Sequence, residues 1–130
     1  MAPSERWQLG GQGPKAYEQY LVPVLFTPWA TFLVGQAALQ PGERVLDAAC
    51  GTGIVARMVA PHVGRTGSVI GLDLNSRMLA VARTLPPGSG VSIAWQEGNL
   101  EALPFDDQAF NEVLCQQALQ FCSKMSWCRR

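Results

Sequence analysis

Two carboxylates and two glycines at fixed distances along the chain are the residues best suited to form a binding site. Asp47 ends an apolar run, and Gly51 and Gly53 follow it closely. Asp73 ends a second apolar run, downstream of the glycines. A glycine turn between a strand and a helix lets a ligand approach free backbone N–H groups, and an acid about 20 residues further on can reach a ribose. Together these residues predict a site for a nucleotide-like cofactor.

Two classes of cofactor could use such a site. The glycine turn formally matches the dinucleotide pattern that ends in Ala56, so NAD and FAD have to be considered. Asp47 opposes them, because a carboxylate at the mouth of the first strand would repel a pyrophosphate by about 1–4 kcal/mol. The same carboxylate would attract a sulfonium and an ammonium group. The acid and the adenosine-like spacing together favour S-adenosylmethionine.

The sequence around these residues resembles a known family. VLDAACGTG at residues 45–53 resembles the first motif of the class I S-adenosylmethionine-dependent methyltransferases. The resemblance is to the small-molecule type similar to ubiquinone/menaquinone-biosynthesis methyltransferases, with a methyltransferase type 11 domain. GLDLNSRML at residues 71–79 resembles the ribose-binding second strand of that family and the helix after it. The likeness covers roughly residues 4–121 and implies transfer of a methyl group to a small-molecule acceptor.

Two later segments extend the resemblance and depart from it in detail. Residues 97–105 resemble the family's GDAExLPF segment, in which an acid usually accepts a hydrogen bond from the adenine amino group. Asn99 stands in its place, and its amide oxygen can accept without the help of a charge. Residues 110–117, FNEVLCQQ, resemble the fourth strand, with Asn111 where the family usually has Asp. Gln116 and Gln117 then follow the strand and are expected near the methyl group.

The candidate cofactor-binding residues lie at the ends of the predicted strands or just after them. They are Asp47, Ala49, Gly51, Gly53, Asp73, Leu74, Met78, Asn99, Leu100 and Gln116. We expect no catalytic residue, because an activated methyl donor needs mainly alignment with the acceptor and exclusion of water. We expect no metal site either, since the cysteines form no Cys-x-x-Cys pair and the chain has one histidine.

Several of these residues also have a purely structural interpretation. Met78 has helical spacing and could equally belong to the core. Asp73 could cap the following helix, but Asn75 or Ser76 can do so and leave Asp73 for the ribose. The adjacent acids at 106 and 107 are expected to be a solvated turn, and His62 a surface residue.

The amino-terminal part is unusually apolar. No charged residue occurs between Glu18 and Glu43, a length that could suggest a membrane span. Proline interrupts the run twice, and Thr27 followed by Pro28 predicts a helix N-cap with proline at the first helical position. We therefore predict two short helices packing on the sheet. The resemblance implies that the amino-terminal helices help to form the acceptor pocket, which makes Tyr17, Tyr20 and Trp29 candidates for it.

The predicted elements alternate along the chain. Helices are expected near 14–26 and 28–38, then strand 44–49, helix 53–62, strand 67–73, helix 75–84, strand 91–97 and strand 110–116. This predicts an α/β, Rossmann-like, doubly wound parallel sheet, incomplete at its carboxyl-terminal half. By resemblance the strands lie in the order third, second, first, fourth. We expect a single domain, 1–130, with amino-terminal helices in 1–40, the cofactor-binding half in 41–121 and an atypical tail in 122–130.

The composition agrees with a small cytoplasmic protein. Ten basic and ten acidic residues give a net charge of zero, and no basic cluster suggests nucleic acid. The four cysteines are expected as free thiols in a reducing compartment, and the amino terminus lacks the features of a signal peptide. No membrane partner is expected.

Three hypotheses remain open from the sequence. The first is a methyltransferase truncated after the fourth strand, because the family pattern stops near Phe121. The second is a fragment of an NAD(P)- or FAD-binding oxidoreductase. The third is a catalytically silent module that associates with itself through an exposed fourth strand.

Overall fold

A computed structural model describes residues 12–85, 91–106 and 108–116. It contains α1 (Gly13–Ala16), a π-helical segment (Tyr17–Phe26), α2 (Thr27–Ala37), α3 (Ile54–Val63) and α4 (Ser76–Thr84). The strands are β1 (Arg44–Ala48), β2 (Ser68–Asp73), β3 (Ile93–Glu97) and β4 (Glu112–Leu114). The predictions for the tail at 122–130 and for Gln117 lie outside the described residues.

The strands form one parallel sheet in the order β3-β2-β1-β4. Leu46 on β1 lies beside Ile70 on β2 and Val113 on β4, and Ile70 lies beside Ala94 on β3. The predicted α/β fold with its doubly wound parallel order is confirmed. The fourth strand has three residues, shorter than predicted at 110–116. The chain changes direction across the sheet between β1 and β4, which in such folds is where ligands bind.

The two faces of the sheet are covered differently. On one face Val45, Val69 and Leu114 pack with residues of α2 and α3, among them Val34 and Val59. The other face, with Leu46, Leu72 and Val113, packs against Leu100, Leu103, Phe105 and Phe110 from the connection between β3 and β4. Alternate residues of each strand serve opposite faces, as the period of a strand requires.

The amino-terminal helices differ from the prediction. Both predicted segments, 14–26 and 28–38, are helical, but residues 13–37 form one continuous run, so the separation into two helices and the N-cap at Thr27 are wrong. Thr27 lies inside this run as the first residue of α2, and its hydroxyl donates back to the Val22 carbonyl oxygen (2.9 Å) instead of accepting from an N–H of the following turn. By length and composition this run could cross a membrane. Ala30 and Val34 are nevertheless buried in the core with α3, while Tyr20, Val24, Trp29 and Phe32 are exposed.

The π-helical winding aligns side chains that an α-helix would separate. Tyr17 and Phe26 are nine residues apart, which is two and a half turns of an α-helix and so places them on opposite faces. A π-helix has i to i+5 hydrogen bonds and more residues in each turn, so nine residues make about two turns. The two rings accordingly stack with their centroids 5.1 Å apart. Both side chains therefore belong to the same face of the helix.

Candidate functional site

The turn after β1 is held in an unusual backbone conformation. Ala49, Gly51 and Gly53 have φ angles of 56°, 58° and 90°, all in the left-handed region. Glycine adopts this region freely, whereas alanine does so at a cost of about 1–2 kcal/mol. The Cys50 N–H donates to the Leu72 carbonyl oxygen (2.8 Å) and attaches the turn to β2. The predicted glycine turn therefore lies against the carboxyl ends of both central strands.

Asp47 lies beneath this turn. Its side chain is 1% exposed, and its Oδ2 accepts a hydrogen bond from the backbone N–H of Ala56 in the first turn of α3 (2.9 Å). Burial raises the pKa of Asp47 to about 7, against the opposing effect of this hydrogen bond. Direct contact of Asp47 with a ligand would require neighbouring groups to move. With a pKa of about 7, Asp47 is only partly ionised at neutral pH, and its ionised form would act on the site from below the turn.

Asp73 connects the end of β2 to the turn. Its Oδ2 accepts from the Gly51 N–H and its Oδ1 from the Asn75 N–H, both at 2.8 Å. Asn75 caps α4 by accepting from the backbone N–H groups of Arg77 and Met78. The expectation that Asn75 could cap this helix agrees with the structure. Burial raises the pKa of Asp73, opposed by its backbone hydrogen bonds.

Two side chains cover Gly51. A Cβ atom placed on Gly51 would lie 3.4 Å from the Tyr17 hydroxyl oxygen and 3.5 Å from Met78 Cε. Met78 is buried, in agreement with either of its two interpretations. Burial, with the nearby Asp73, raises the pKa of Tyr17 to about 12, so its hydroxyl stays protonated at neutral pH. The helix that carries Tyr17 is thus one wall of the site.

Trp95 on β3 is a further wall that the sequence did not reveal. Its ring lies against both Gly71 on β2 and Gly53 in the turn, where a Cβ on either glycine would overlap the indole. Gly71 pairs directly with Trp95 in the sheet register. The absence of a side chain at Gly71 is what lets the indole cross the sheet to Gly53. The glycine in the Gly-Leu-Asp end of β2 is a sequence feature that could have indicated this contact.

The other predicted site residues follow the second, third and fourth strands. Asn99 is exposed, and its Oδ1 accepts from the Glu101 N–H (2.8 Å). Leu100 is buried in the second face of the core, so its side chain serves packing. Leu74 is partly exposed beside Asp73. Gln116 donates from Nε2 to the Phe26 carbonyl oxygen (3.1 Å) and joins the end of β4 to the π-helical segment.

The structure therefore separates the candidates into two sets. Asp47, Gly51, Gly53, Asp73 and Met78 meet around the turn between β1 and α3. Ala49 belongs to the same turn and Leu74 follows Asp73, whereas Asn99, Leu100 and Gln116 reach this edge of the sheet from β3 and β4. Tyr20 and Trp29, considered for an acceptor pocket, are 65% and 59% exposed. Among the described residues no group of His, Cys, Asp or Glu could hold a metal ion, and neither Cys50 nor Cys115 forms a disulfide there.

Comparison with known proteins identifies the family. The profile described as "Methyltransferase domain" matches residues 45–129, more than half of the chain. The chain belongs to the methyltransferase domain family. The match begins at β1 and includes the turn, Asp73 and the segment around Asn99. The resemblance predicted from the sequence is thereby confirmed.

Relatives of this family agree with the assignment. The ubiquinone/menaquinone biosynthesis C-methyltransferase UbiE of Xanthomonas campestris is 40% identical over 87 residues, 65% of this chain and 34% of that protein. The 2-phytyl-1,4-naphtoquinone methyltransferase of Synechococcus elongatus is 41% identical over 85 residues, 64% of this chain and 36% of that protein. The chain thus spans about a third of the length of these curated relatives.

A solved structure supports the fold over nearly the whole chain. A SAM-dependent methyltransferase from Aquifex aeolicus superposes with a TM-score of 0.69 and 19% identity, covering 95% of this chain and 61% of that chain. At this level of identity the similarity concerns the fold.

Proposed function

We propose that the chain binds S-adenosylmethionine at the carboxyl edge of its sheet and acts as the cofactor-binding part of a small-molecule methyltransferase. Family membership and the named activities of the relatives support this proposal. The local geometry supports it independently. Asp73, the turn at Gly51 and the segment after β3 lie at the edge where a parallel sheet of this topology binds its ligand.

The hydrogen bond from Ala56 to Asp47 is the observation that most favours this cofactor over a dinucleotide. In dinucleotide-binding folds the N-terminus of the helix after the first strand receives the pyrophosphate. In this chain a carboxylate already accepts the Ala56 N–H there, at 2.9 Å. A second anion would meet Asp47 at short range, whereas a sulfonium or ammonium group would be attracted to it.

The candidate residues have distinct expected roles. Asp73 would accept hydrogen bonds from the ribose hydroxyls with the lone pairs that its two backbone donors leave free. Asn99 would contact the adenine amino group, and Leu74 and Met78 would pack on the ring. Gln116 lies where the methyl group is expected, and Leu100 contributes by positioning the segment that includes Asn99.

Bound S-adenosylmethionine would supply an electrophilic methyl group to an acceptor. The protein's contribution is alignment and exclusion of water, so no residue is assigned as a general acid or base. The names of the relatives make a quinone-type small molecule the acceptor class we favour. Of the aromatic residues considered for the acceptor pocket, Tyr17 is the one whose hydroxyl contacts the turn, 3.4 Å from a Cβ placed on Gly51.

We further propose a cytoplasmic protein that binds neither nucleic acid nor membrane. The zero net charge supports the proposal that the chain does not bind nucleic acid. Burial of Ala30 and Val34 against α3 supports the proposal that it does not bind a membrane. Self-association through β4 is a related proposal. Within the described residues β4 pairs with β1 alone, so its other edge offers N–H and C=O groups to a further strand.

Calorimetric titration of the purified chain with S-adenosylhomocysteine, S-adenosylmethionine and NAD tests the cofactor. We expect both adenosyl ligands to bind more tightly than NAD. S-adenosylhomocysteine lacks the sulfonium charge, so comparison with S-adenosylmethionine tests whether the site as a whole favours a positively charged ligand. Tighter binding of NAD than of either adenosyl ligand would overturn the proposal.

A further inference from the structure

A network of three polar residues ties the π-helical segment to the glycine turn. Glu18 Oε1 forms an ion pair with Arg57 Nη2, and Glu18 Oε2 accepts a hydrogen bond from the Thr52 hydroxyl (3.2 Å). Arg57 Nη1 in turn donates to the Thr52 carbonyl oxygen. The side chains of Arg57 and Glu18 are only 15% and 18% exposed. One residue of the helix is thus bonded to both the turn and the first turn of α3.

Glu18 compensates a positive charge that Arg57 places at an unfavourable position in α3. Arg57 lies in the first turn of α3, where the helix dipole disfavours a positive charge. Glu18 neutralises this charge and directs the guanidinium back to the Thr52 carbonyl group. The turn on either side of Thr52 has left-handed residues at 51 and 53. Such a conformation persists only where the surrounding contacts determine it.

Tyr17, next to Glu18 in the sequence, lies over the same turn. Tyr17 covers Gly51, and its ring stacks on Phe26 at the far end of the π-helical segment. The Phe26 carbonyl oxygen accepts from Gln116 after β4. The segment is therefore attached at one end to the β1 turn and at the other to the end of β4. Release of Glu18 would free the end that lies over the turn.

We propose that Glu18 is a positioning residue for the cofactor, which fastens the Tyr17 helix over the glycine turn and thereby slows release of the bound ligand. This inference rests on the proposed function. Glu18 touches neither the expected ligand nor the reacting atoms and acts through Thr52, Arg57 and its neighbour Tyr17.

Glu18→Gln tests the proposal because it preserves shape and removes the charge. Glu43→Gln is the matched control, since it removes the same charge from the connection before β1. We expect Glu18→Gln to bind S-adenosylhomocysteine roughly three- to tenfold more weakly, mainly through faster dissociation. The control should stay within about twofold of the wild type. Both variants are compared with the wild type at a temperature where circular dichroism shows all three folded.

Two further measurements separate positioning from general loss of stability. Thr52→Val removes the hydroxyl donor with little change of shape, and its effect on affinity should not add to that of Glu18→Gln. Amide hydrogen exchange of the ligand-free chain should be faster over residues 17–26 in Glu18→Gln and unchanged in α4.

The outcomes distinguish this proposal from the proposed function. If the wild type binds S-adenosylhomocysteine and Glu18→Gln binds it with the same affinity and release rate, the role of Glu18 is refuted alone. Fully additive effects of Glu18→Gln and Thr52→Val would refute it as well. If the wild type fails to bind S-adenosylhomocysteine, the proposed function is refuted, and the proposed role of Glu18 is refuted with it.

Discussion

The buried carboxyl of Asp47 should make the stability of the fold depend on pH. Its pKa is raised from 3.8 to about 7, chiefly by burial, so the folded chain holds this proton more tightly than the unfolded chain does. At a pH between these two pKa values, unfolding releases a proton from Asp47. The free energy of unfolding should therefore fall as pH rises from about 4 to about 7, and level off above that.

The size of the effect follows from the shift. One pKa unit corresponds to about 1.36 kcal/mol, so the Asp47 contribution changes by about 4 kcal/mol across this interval. Asp47→Asn keeps an oxygen to accept the Ala56 N–H and removes the titration. Its added N–H₂ group is a buried donor that costs about 1–3 kcal/mol if unpaired. The variant should thus be less stable than the wild type near pH 4.5 and of equal or greater stability near pH 8.

Urea unfolding at several pH values between 4.5 and 8.5 measures this difference. The stability of Asp47→Asn relative to the wild type should rise steadily through the interval and then become constant. Asp73 titrates in both proteins and is coupled to Asp47 by Coulomb repulsion, so the difference between the two profiles reports Asp47 together with this coupling. Asp106→Asn, at an exposed position, is the control and should follow the wild-type profile. A constant difference between Asp47→Asn and the wild type at all pH values would refute the reasoning.

Three other substitutions test the site. Asp73→Ala should weaken binding of S-adenosylhomocysteine by about 1.5–3 kcal/mol and should also lower stability, because two backbone donors lose their acceptor. Asp106→Ala should change neither the affinity nor the stability. If titration shows equal losses of affinity in the two variants, the ribose does not bind at Asp73. Asn99→Asp should bind S-adenosylhomocysteine more tightly but not its inosine analogue, since only adenine offers the amino group; identical gains for both ligands would remove residue 99 from the adenine contact. Ala49→Gly removes the cost of holding an alanine in the left-handed region but increases the conformational entropy of the unfolded chain. Urea unfolding should therefore show a net increase of up to about 1 kcal/mol in the free energy of unfolding. A loss of stability would mean that the Ala49 methyl group packs favourably.

The strands and the turn could be predicted because each is determined by residues that are neighbours in the sequence. Apolar runs ending in an acid place Asp47 and Asp73 at strand ends, and a glycine turn follows only the first. The wider winding of residues 17–26 could not be predicted in this way. Its stacked pair, Tyr17 and Phe26, has a spacing that neither an α-helix nor a strand would bring together.

The polar connections of the site were harder to predict because they join distant parts of the chain. Glu18 meets Arg57 across 39 positions, and no local pattern relates the two. The burial of Asp47 has a similar origin. The sequence places it at the mouth of a strand, but only packing of α3 over the turn removes it from solvent.

The contact of Trp95 with Gly53 and Gly71 has a consequence for how this family can diverge. The three residues occupy one shared volume, so a change at any one of them constrains the other two. A larger residue at 71 becomes acceptable only after the indole has been replaced by a smaller side chain. The order of substitutions should therefore matter, and Gly71→Ala should be tolerated in a Trp95→Val background better than alone. Natural homologues are expected to vary at positions 71 and 95 in a correlated, compensating manner.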